Sequence, residues 1–590
     1  MITLLAPSSN ASVVLGSPDT ACHPVWSRAG RVAVLALVLV MPFERPLATV
    51  AGVSLVLTTV EVVIAVALLV ALLSWLDGSR HFVWRTPITW PALALAGVFV
   101  ATAAAAPSFA GNALRFAGRF VAAGLIFLLV VNAVRTIATA RLVVALFLGL
   151  AALVGGVAVL EAAESPIVLR ELTAFRPGFH VVGGQLRATS TLGYPTIASM
   201  YLEVAFALGL WLFVEAAEQR AKTRWTIAFT ALLLIGAGII ATFTRAGLAA
   251  LAASLALVAG LRMVRTRRFD RAHLALAVLA VALAGLVILS RSPARLLTRL
   301  STEGSQAWYG ARYHVPEALR FVPGGRYRVP VAIDNTGRIT WRSDETPPFS
   351  LSYHWVVAGS RRVVEFNGRR TPFAAPVAPG NQAALHALVV APPIPGWYDL
   401  VWDVVHEHRA WLSTEGVPAA RTAVRVEGPL VMASGDAMPE LPAAAIRPDR
   451  LALWRTALQM AQARPLTGVG PDNFRLAYGP YLGLATWDTR VHANNLYLET
   501  LAGAGVPGLV SLLWLVTAAF LALWRRWRTS TPSYATGSAA MVAVWLIVAG
   551  HGLVDTFLAF TPTYVAFAVA AGLAFSPAMT ATDHAHANSV

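Results

Sequence analysis

The stretch LVVALFLGLAALVGGVAVLE, residues 142–161, decides the fold class, because its only charged residue is the glutamate at its end. An α-helix needs about 20 mainly apolar residues to cross the roughly 30 Å hydrocarbon core of a bilayer. Further stretches have the same character: 31–48, 57–76, 88–106, 117–134, 196–215, 224–242, 247–264, 272–290, 506–524, 537–557 and 560–576. The sequence therefore predicts a polytopic α-helical membrane protein with about 12 transmembrane helices.

The composition points to the same class. Of 590 residues, 57% are hydrophobic and 13% are charged, and the mean hydropathy is +0.63. These values exclude a soluble enzyme, a disordered chain and a coiled coil. The net charge is +16, but the basic residues form no stripe with interleaved aromatic residues, so we expect no nucleic-acid partner. The lone Cys22 excludes disulfides within the chain and cysteine-based metal sites.

The charge pattern of the short loops predicts the orientation in the membrane. Basic residues mark alternate loops, at 80–85, 135–141, 220–224, 262–271 and 525–528. The positive-inside rule places these loops in the cytoplasm, together with an N-terminal segment, 1–30, and a tail, 577–590. Because the N-terminal segment has no A-x-A-like cleavage pattern, we expect it to be retained. The long connections, 162–195 and 291–505, then lie outside.

Residues 310–428 predict an extracytoplasmic all-β sandwich, inserted between two parts of a membrane domain, 31–290 and 506–576. Runs of alternating or clustered apolar residues predict strands at 326–333, 349–356, 362–366, 383–390 and 398–405. Short strands at this spacing, separated by turn sequences, are typical of a sandwich. We expect tryptophans to fill its core rather than to stack on sugars: Trp341, Trp355, Trp397 and Trp402.

A helical outer loop, 445–505, follows the β-rich insert. Within it, residues 447–463 have apolar side chains spaced for one face and predict an amphipathic helix at the outer membrane surface. This loop and two shorter connections on the predicted outer side contain the segments whose residues suit chemistry: 186–195, 244–247, 465–474 and 491–509.

Arg245 lies in a very short turn that is predicted to face outward, against the positive-inside trend. A planar guanidinium can bind two phosphate oxygens and stays charged, which suits a diphosphate at the membrane surface. The alternatives are snorkelling to lipid headgroups and a local ion pair. Arg115 and Arg119, at the outer start of the fourth predicted span, raise the same question.

His492 lies just before an apolar helix. A histidine there can exchange a proton with a hydroxyl group near neutral pH, or it can cap backbone groups or pack against neighbours. The position alone leaves these alternatives open.

Taken together, four motifs resemble the O-antigen ligase and polymerase superfamily of bacterial envelope glycosyltransferases. They are L-R-x-x-x-T-x-G-x-P from 186, T-R-A-G from 244, G-V-G-P-x-N-F from 468, and H-A-N-N-x-Y-L-E from 492 with G-V-P-G-L after it. The resemblance covers roughly 30–290 and 445–575, while the insert resembles an immunoglobulin-type accessory module. The chain has Asn494 where the family often has a second histidine, and Thr196 where it often has asparagine.

The resemblance implies a GT-C-like enzyme of the bacterial cytoplasmic membrane. Such an enzyme moves a glycan from a polyprenyl diphosphate carrier to a lipid, glycan or protein acceptor outside the cytoplasm. We predict that Arg187 and Arg245 are catalytic, by stabilising the departing diphosphate, and that His492 orients or deprotonates the acceptor hydroxyl. The predicted substrate-binding residues are Arg115, Arg119, Asn495 and Tyr497. We expect no cofactor and no metal, because the outer loops have no D-x-D pair and no His/Cys ligand spacing.

A transporter or flippase of lipid-linked glycans is the main alternative. Ionisable residues within apolar runs support it, namely Glu61, Glu203, His551 and Asp555. Against it, the motifs gather on the outer side, and the sequence shows no internal repeat of the kind that alternating access often uses. A non-enzymatic scaffold that displays the β-domain would not need so many spans. Ligase and polymerase differ only in the acceptor, so the sequence leaves both open.

Overall fold

The computed structural model describes residues 24–50, 55–76, 82–176, 178–290, 293–302, 308–429, 448–484 and 486–579. Most of the predicted N-terminal segment, most of the C-terminal tail and the predicted loop arginine Arg80 lie outside these residues.

The described membrane part is helical. Its first half contains α1 (Pro24–Val40), α2 (Thr59–Leu76), α3 (Thr89–Ala104), α4 (Ala110–Ala133), α5 (Ile137–Ala162), α6 (Pro166–Leu172), α7 (Pro195–Glu218), α8 (Lys222–Thr242), α9 (Arg245–Thr266), α10 (Arg271–Ser290) and α11 (Pro293–Ser301). Its second half contains α12 (Arg450–Ala463), α13 (Phe474–Tyr481), α14 (Leu496–Thr529), α15 (Pro532–His551) and α16 (Thr561–Phe575).

Among the described helices, nine are long and apolar enough to cross a membrane: α2, α4, α5, α7, α8, α9, α10, α14 and α15. Two shorter apolar helices, α3 and α16, accompany them. The prediction of a multi-pass helical membrane protein is therefore confirmed, and the count of about 12 spans stays a prediction.

The first predicted span, 31–48, was wrong at both ends. The helix begins at Pro24 and ends at Val40, and the chain then forms a hairpin of β1 (Pro46–Val50) and β2 (Leu55–Thr58). Pro42 and Pro46 explain the early end, because proline lacks the backbone N–H that a helix interior requires.

Helix α7 lies at the centre of the membrane part. Of its apolar window, 94% is buried inside the protein, and it contacts α5, α8, α9, α10, α15 and α16. The neighbours α5 and α8 cross closely at two glycines, since a Cβ on Gly238 would lie 2.5 Å from the Cα of Gly155. Small residues at such crossings let helix backbones approach within a membrane.

Helix α14 contains a break. Gly505 has a φ of 65° inside it, and Pro507 follows. A positive φ is readily adopted only by glycine, so this position requires that residue. The break separates the stretch from Leu496 from the predicted span 506–524.

The β-rich insert consists of two sheets. Its strands are β5 (Ala311–His314), β6 (Ala318–Phe321), β7 (Arg326–Asn335), β8 (Phe349–Val357), β9 (Val363–Glu365), β10 (Thr371–Pro372), β11 (Gln382–Val390), β12 (Gly396–His406), β13 (Ala410–Trp411) and β14 (Ala420–Val426). One sheet has the order β10-β8-β12-β14-β6, with β9 beside β8 and β13 beside β12, and the other has the order β11-β7-β5. Side chains of both sheets share one core, as Val331 and Leu351 do.

Three of the four predicted core tryptophans are buried: Trp341, Trp355 and Trp402. The prediction for Trp397 was wrong, because that side chain is 60% exposed and lies under the guanidinium of Arg425 at 5.1 Å. Trp397 and Trp402 are an odd number of residues apart on β12, and successive side chains of a strand point to opposite faces. Both could not have faced the same core.

The insert rests on the connection between α5 and α7. This connection forms a hairpin of β3 (His180–Val182) and β4 (Gln185–Arg187). Arg409 of the insert pairs with Glu164 after α5. A Cβ on Gly184, at the turn of the hairpin, would lie 2.4 Å from the ring of His406. The insert and the hairpin are therefore packed in direct contact.

Candidate active site

A cavity of about 1110 Å³ lies between the starts of α7, α9 and α12, the end of α15 and the hairpin strand β4. Four arginines line it: Arg187, Arg245, Arg299 and Arg450. The sequence predicted the same role for Arg187 and Arg245, and the structure places both on the lining of this cavity. Arg299 and Arg450 were missed, because neither lies within one of the four motifs.

Arg187 reaches the cavity from β4. Its Nε donates to the carbonyl oxygen of Thr242 at 3.2 Å, and an Nη donates to Oγ1 of Thr244 at 3.2 Å. Across the described residues, no carboxylate lies within ion-pair distance of this guanidinium, although Asp555 acts on it electrostatically. Burial lowers the pKa of Arg187 to about 10. The side chain is therefore cationic at neutral pH and is held by neutral partners.

A buried ion pair positions the segment that follows Arg187. Glu161, at the end of α5, pairs with Arg176, and its Oε2 accepts hydrogen bonds from the backbone N–H groups of Thr189 (3.0 Å) and Ser190 (2.7 Å). Ser190 has a φ of 53°. A non-glycine residue in this conformation needs outside support, and the Glu161 carboxylate supplies it.

Arg245 is the first residue of α9, directly after an extended Thr244 and a left-handed Phe243. The first turn of α9 packs tightly on α7, since a Cβ on Gly247 would lie 2.2 Å from Oγ of Ser199. Glycine at this position of the T-R-A-G motif therefore lets α9 approach α7, which fixes the start of α9 at the cavity.

The two arginines that the sequence missed are also tied to backbone carbonyls. Arg299 is buried, and its Nε donates to the carbonyl oxygen of Phe243 at 3.1 Å. Arg450 donates to the carbonyl oxygen of Val554 at 2.9 Å. Three carboxylates share the lining: Glu415, Asp449 and Asp555. Asp449 accepts from the N–H of Ala452 as the N-cap of α12. Glu415 belongs to the insert, so the β-rich region forms part of the cavity wall.

His492 does not line this cavity, although its neighbours Val491 and Asn494 do. Its Nδ1 lies 3.1 Å from Oε1 of Glu499 and 3.9 Å from Oδ1 of Asp472. Burial lowers the pKa of His492, but the two carboxylates raise it more, so the net direction is upward. This environment favours the imidazolium form.

Asp472, His492 and Glu499 are a group that could hold a metal ion, since their ligand atoms lie within 4.8 Å of one another. Much of the group is already engaged. Oδ2 of Asp472 accepts from Arg475 and Asn112, each at 3.0 Å, and Oε2 of Glu499 accepts from the N–H of Ala493 at 2.8 Å. Oδ1 of Asp472 is buried and has no hydrogen-bond partner in the described residues.

The other predicted substrate-binding residues lie elsewhere. Asn495 caps α14 through Oδ1, and its Nδ2 donates to the carbonyl oxygen of Leu553 at 3.0 Å. Tyr497 donates to the carbonyl oxygen of Ala549 at 2.8 Å and borders a separate apolar cavity of about 270 Å³. Arg119 donates to the carbonyl oxygen of Ala559 at 2.9 Å. Arg115 lies one turn earlier on α4, and neither arginine lines the arginine cavity.

The ionisable residues that supported a transporter have local partners. Glu61 accepts from the N–H of Thr58 at 3.1 Å at the start of α2, where it closes a capping arrangement. Glu203 of α7 pairs with His551 at the end of α15. His551 and Asp555 line the arginine cavity itself. Three of these residues therefore gather at one end of the helices rather than along a path through them.

Residues 441–513 match the Wzy_C family model, which is described as O-antigen ligase. The matched segment includes α12, α13, the loop with His492 and the first part of α14. No curated protein matches the chain. The match confirms the resemblance to the O-antigen ligases. With the many apolar helices, it supports a membrane enzyme of the O-antigen ligase or polymerase type, with lipid-linked glycan substrates.

Proposed function

We propose that this protein transfers a glycan from a polyprenyl diphosphate carrier to a lipid, glycan or protein acceptor on the outer face of the bacterial cytoplasmic membrane. The observation that carries the proposal is the placement of Arg187. It is a cationic side chain on the wall of a large cavity, held by threonine oxygens rather than by a carboxylate, and Arg245 lies on the same wall.

The chemistry of the transfer explains the need for fixed cations. When the bond between C1 of the sugar and the diphosphate oxygen breaks, negative charge develops on the leaving group. Donors that are already oriented stabilise such charge without reorganisation, and guanidinium groups do so without a metal. Arg187 and Arg245 are the proposed diphosphate ligands, and Arg299 and Arg450 add positive charge to the same wall.

The other predicted residues are proposed to bind the hydrocarbon of the carrier and the acceptor. The apolar cavity beside Tyr497 gives room for hydrocarbon of the carrier, because its lining is almost entirely apolar. Asn495 shapes the start of α14 next to this cavity. Arg115 and Arg119 stay predicted substrate ligands, and His492 stays a predicted partner of the acceptor hydroxyl. No metal has a role in this proposal.

Transfer by the purified protein tests the proposal. Wild-type protein in detergent is given a polyprenyl diphosphate-linked oligosaccharide and, in parallel, a lipid acceptor or a second glycan repeat. We expect a glycosidic product and free polyprenyl diphosphate with one of them. Arg187→Ala should abolish product formation, while Arg170→Ala, at a side chain that is 77% exposed, should not. A protein that moves the donor across a vesicle membrane but forms no product would be a transporter.

The sidedness of the proposal has its own test. In a Cys22→Ala background, single cysteines at the exposed positions 360 and 480 should react with a membrane-impermeant thiol reagent added outside the cell. A cysteine at position 265 should not react. Labelling at position 265 would reverse the orientation and place the arginine cavity on the cytoplasmic side.

A further inference from the structure

A second histidine contacts the arginine cavity directly. His551 is the last residue of α15 and is among the residues that line the cavity. Its Nδ1 lies 2.9 Å from Oε2 of Glu203 on α7. The other carboxylate oxygen of Glu203 accepts from the hydroxyl of Ser199 at 2.6 Å. One carboxylate oxygen of Glu203 is therefore held by Ser199 of the same helix, and the other oxygen holds the imidazole of His551.

This arrangement leaves one ring nitrogen of His551 for the cavity. Because Nδ1 is engaged by the carboxylate, the neutral ring carries its proton on Nδ1 and presents a basic Nε2. Within the described residues, Nε2 makes no hydrogen bond to the protein. A carboxylate that orients an imidazole in this way fixes its tautomer and stabilises the imidazolium that forms on proton transfer.

The charged groups around His551 come from three elements. Glu203 faces it from α7, Asp555 from the turn after α15, and Arg450 from α12. Asp555 and Arg450 line the cavity, as Arg187 does. The imidazole therefore lines the same cavity as the proposed diphosphate ligands. In the proposed reaction, the acceptor hydroxyl meets C1 of the donor sugar in this cavity.

His492 differs from His551 in its position. It does not line the cavity that contains the proposed diphosphate ligands. Its contact with Glu499 instead joins the loop 491–495 to the first turn of α14.

We propose that His551 is the group that accepts the proton of the acceptor hydroxyl, with Glu203 as its positioning residue; this rests on the proposed glycan transfer. The acceptor oxygen attacks C1 of the donor sugar as its proton passes to Nε2 of His551. The C1–O bond to the diphosphate breaks, and its electron pair remains on the diphosphate oxygen at the arginines. The proton then leaves His551 to water as polyprenyl diphosphate departs.

The test compares His551→Ala with His492→Ala in the purified transfer assay, with donor binding measured separately on the same samples. Removal of a general base costs about 10²- to 10⁴-fold in rate, so we expect His551→Ala to lose turnover by this factor while donor binding is kept. Added imidazole should restore part of the turnover, since it can occupy the space that the ring leaves. Glu203→Gln should lower kcat with little change in the KM of the donor.

His273 provides a matched control. It is as buried as His551 and also contacts a carboxylate, Asp270 at 2.9 Å, but it lies at the start of α10, at the end of the helices predicted to be cytoplasmic. His273→Gln should keep wild-type turnover. If His551→Ala fails to fold, as judged by size exclusion and thermal unfolding, His551→Gln and Glu203→Gln must carry the same loss of turnover.

The outcomes separate the inference from the proposed function. An active wild type with an equally active His551→Ala overturns the inference alone. A loss of turnover in His492→Ala that imidazole restores, with no such effect at His551, also overturns it. A wild type that binds donor but forms no product overturns the proposed function and this inference with it.

Discussion

The guanidinium of Arg176 and the carboxylate of Glu161 form an ion pair whose side chains are 2% and 0% exposed. The same carboxylate accepts two backbone N–H groups from Thr189 and Ser190, directly after the strand that carries Arg187. A buried pair of this kind costs desolvation energy, so it is weak support for stability by itself. Its position instead ties the geometry of a proposed ligand to the end of α5.

We expect Glu161→Ala to destabilise the protein and to weaken donor binding. The substitution leaves Arg176 buried without its counter-charge, and breaking a buried pair typically costs about 3–5 kcal/mol. It also frees the backbone of Thr189 and Ser190. Thermal unfolding and a donor-binding titration measure the two effects. Glu171→Ala is the control, because its pair with Arg170 is 68% and 77% exposed and should contribute little. Unchanged donor binding in a destabilised Glu161→Ala would show that this pair does not position Arg187.

Arg187→Lys and Arg245→Lys should fail to restore donor binding. A lysine ammonium keeps the charge but lacks the planar fork that engages two oxygens. Loss of a hydrogen bond to a charged group costs about 1.5–3 kcal/mol, which corresponds to roughly 10- to 150-fold in affinity. Binding of the lipid diphosphate, measured by titration at matched folding, gives the answer. Arg170→Lys should bind as the wild type does, and full binding by both cavity variants would end the diphosphate proposal.

The hydropathy of the sequence was sufficient to predict a multi-pass helical membrane protein, because a bilayer imposes one length and one composition on every span. It failed at α1, where prolines end the helix inside an otherwise apolar stretch. In the insert, the period of two predicted the strands, and the same period contradicts a core position for Trp397. The aromatic composition of β12 suggests a core position for Trp397, whereas the register of the strand excludes it.

The candidate site was predictable only in part. The motifs singled out Arg187 and Arg245, because each lies in a connection that precedes a helix and is predicted to face outward. Arg299 and Arg450 carry no motif that singles them out. His551 and Glu203 were noticed as ionisable residues in apolar runs, but their pairing joins positions that are far apart in the chain. Only the packing of α15 on α7 brings them to the cavity.

The β-rich insert should fold by itself. A polypeptide of residues 310–428 contains both sheets and their shared core, and a domain of about 120 residues can bury enough surface to be stable. It should be soluble, give a β-type circular-dichroism spectrum and unfold in one cooperative transition. A spectrum of helix or disorder would refute the assignment. Leu351→Ala is the core variant, expected to cost about 2–5 kcal/mol, and Trp397→Ala, at an exposed side chain, should cost far less.

The stability contribution of His492 should depend on pH. The pKa of this group is raised in the folded protein, above the ordinary 6.5, so folding favours the imidazolium. The contribution is then fully present below about pH 6.5 and is lost as the pH rises through the raised pKa. The melting temperature of His492→Gln should therefore fall below that of the wild type more at about pH 5.5 than at about pH 9. His314→Gln, at a half-exposed histidine, is the comparison, and a pH-independent deficit at His492 would contradict the sign.

Transfer activity should survive a chelator. In the group of Asp472, His492 and Glu499, the guanidinium of Arg475 already supplies positive charge to Asp472, and Nδ1 of His492 already meets Glu499. A divalent cation would have to displace this histidine–carboxylate contact, and it would lie outside the lining of the arginine cavity. We therefore expect wild-type turnover in the presence of EDTA. We also expect the purified protein to contain substoichiometric metal.

Asp472→Asn tests the feature that favours a bound cation, which is the buried Oδ1 without a hydrogen-bond partner in the described residues. If a cation held the group together, this variant would lose bound metal and melt at the temperature of the chelated wild type. Without a cation, EDTA should leave the melting temperature of both proteins unchanged. Stoichiometric zinc or manganese that EDTA removes together with activity would place a metal in the reaction and contradict the metal-free mechanism.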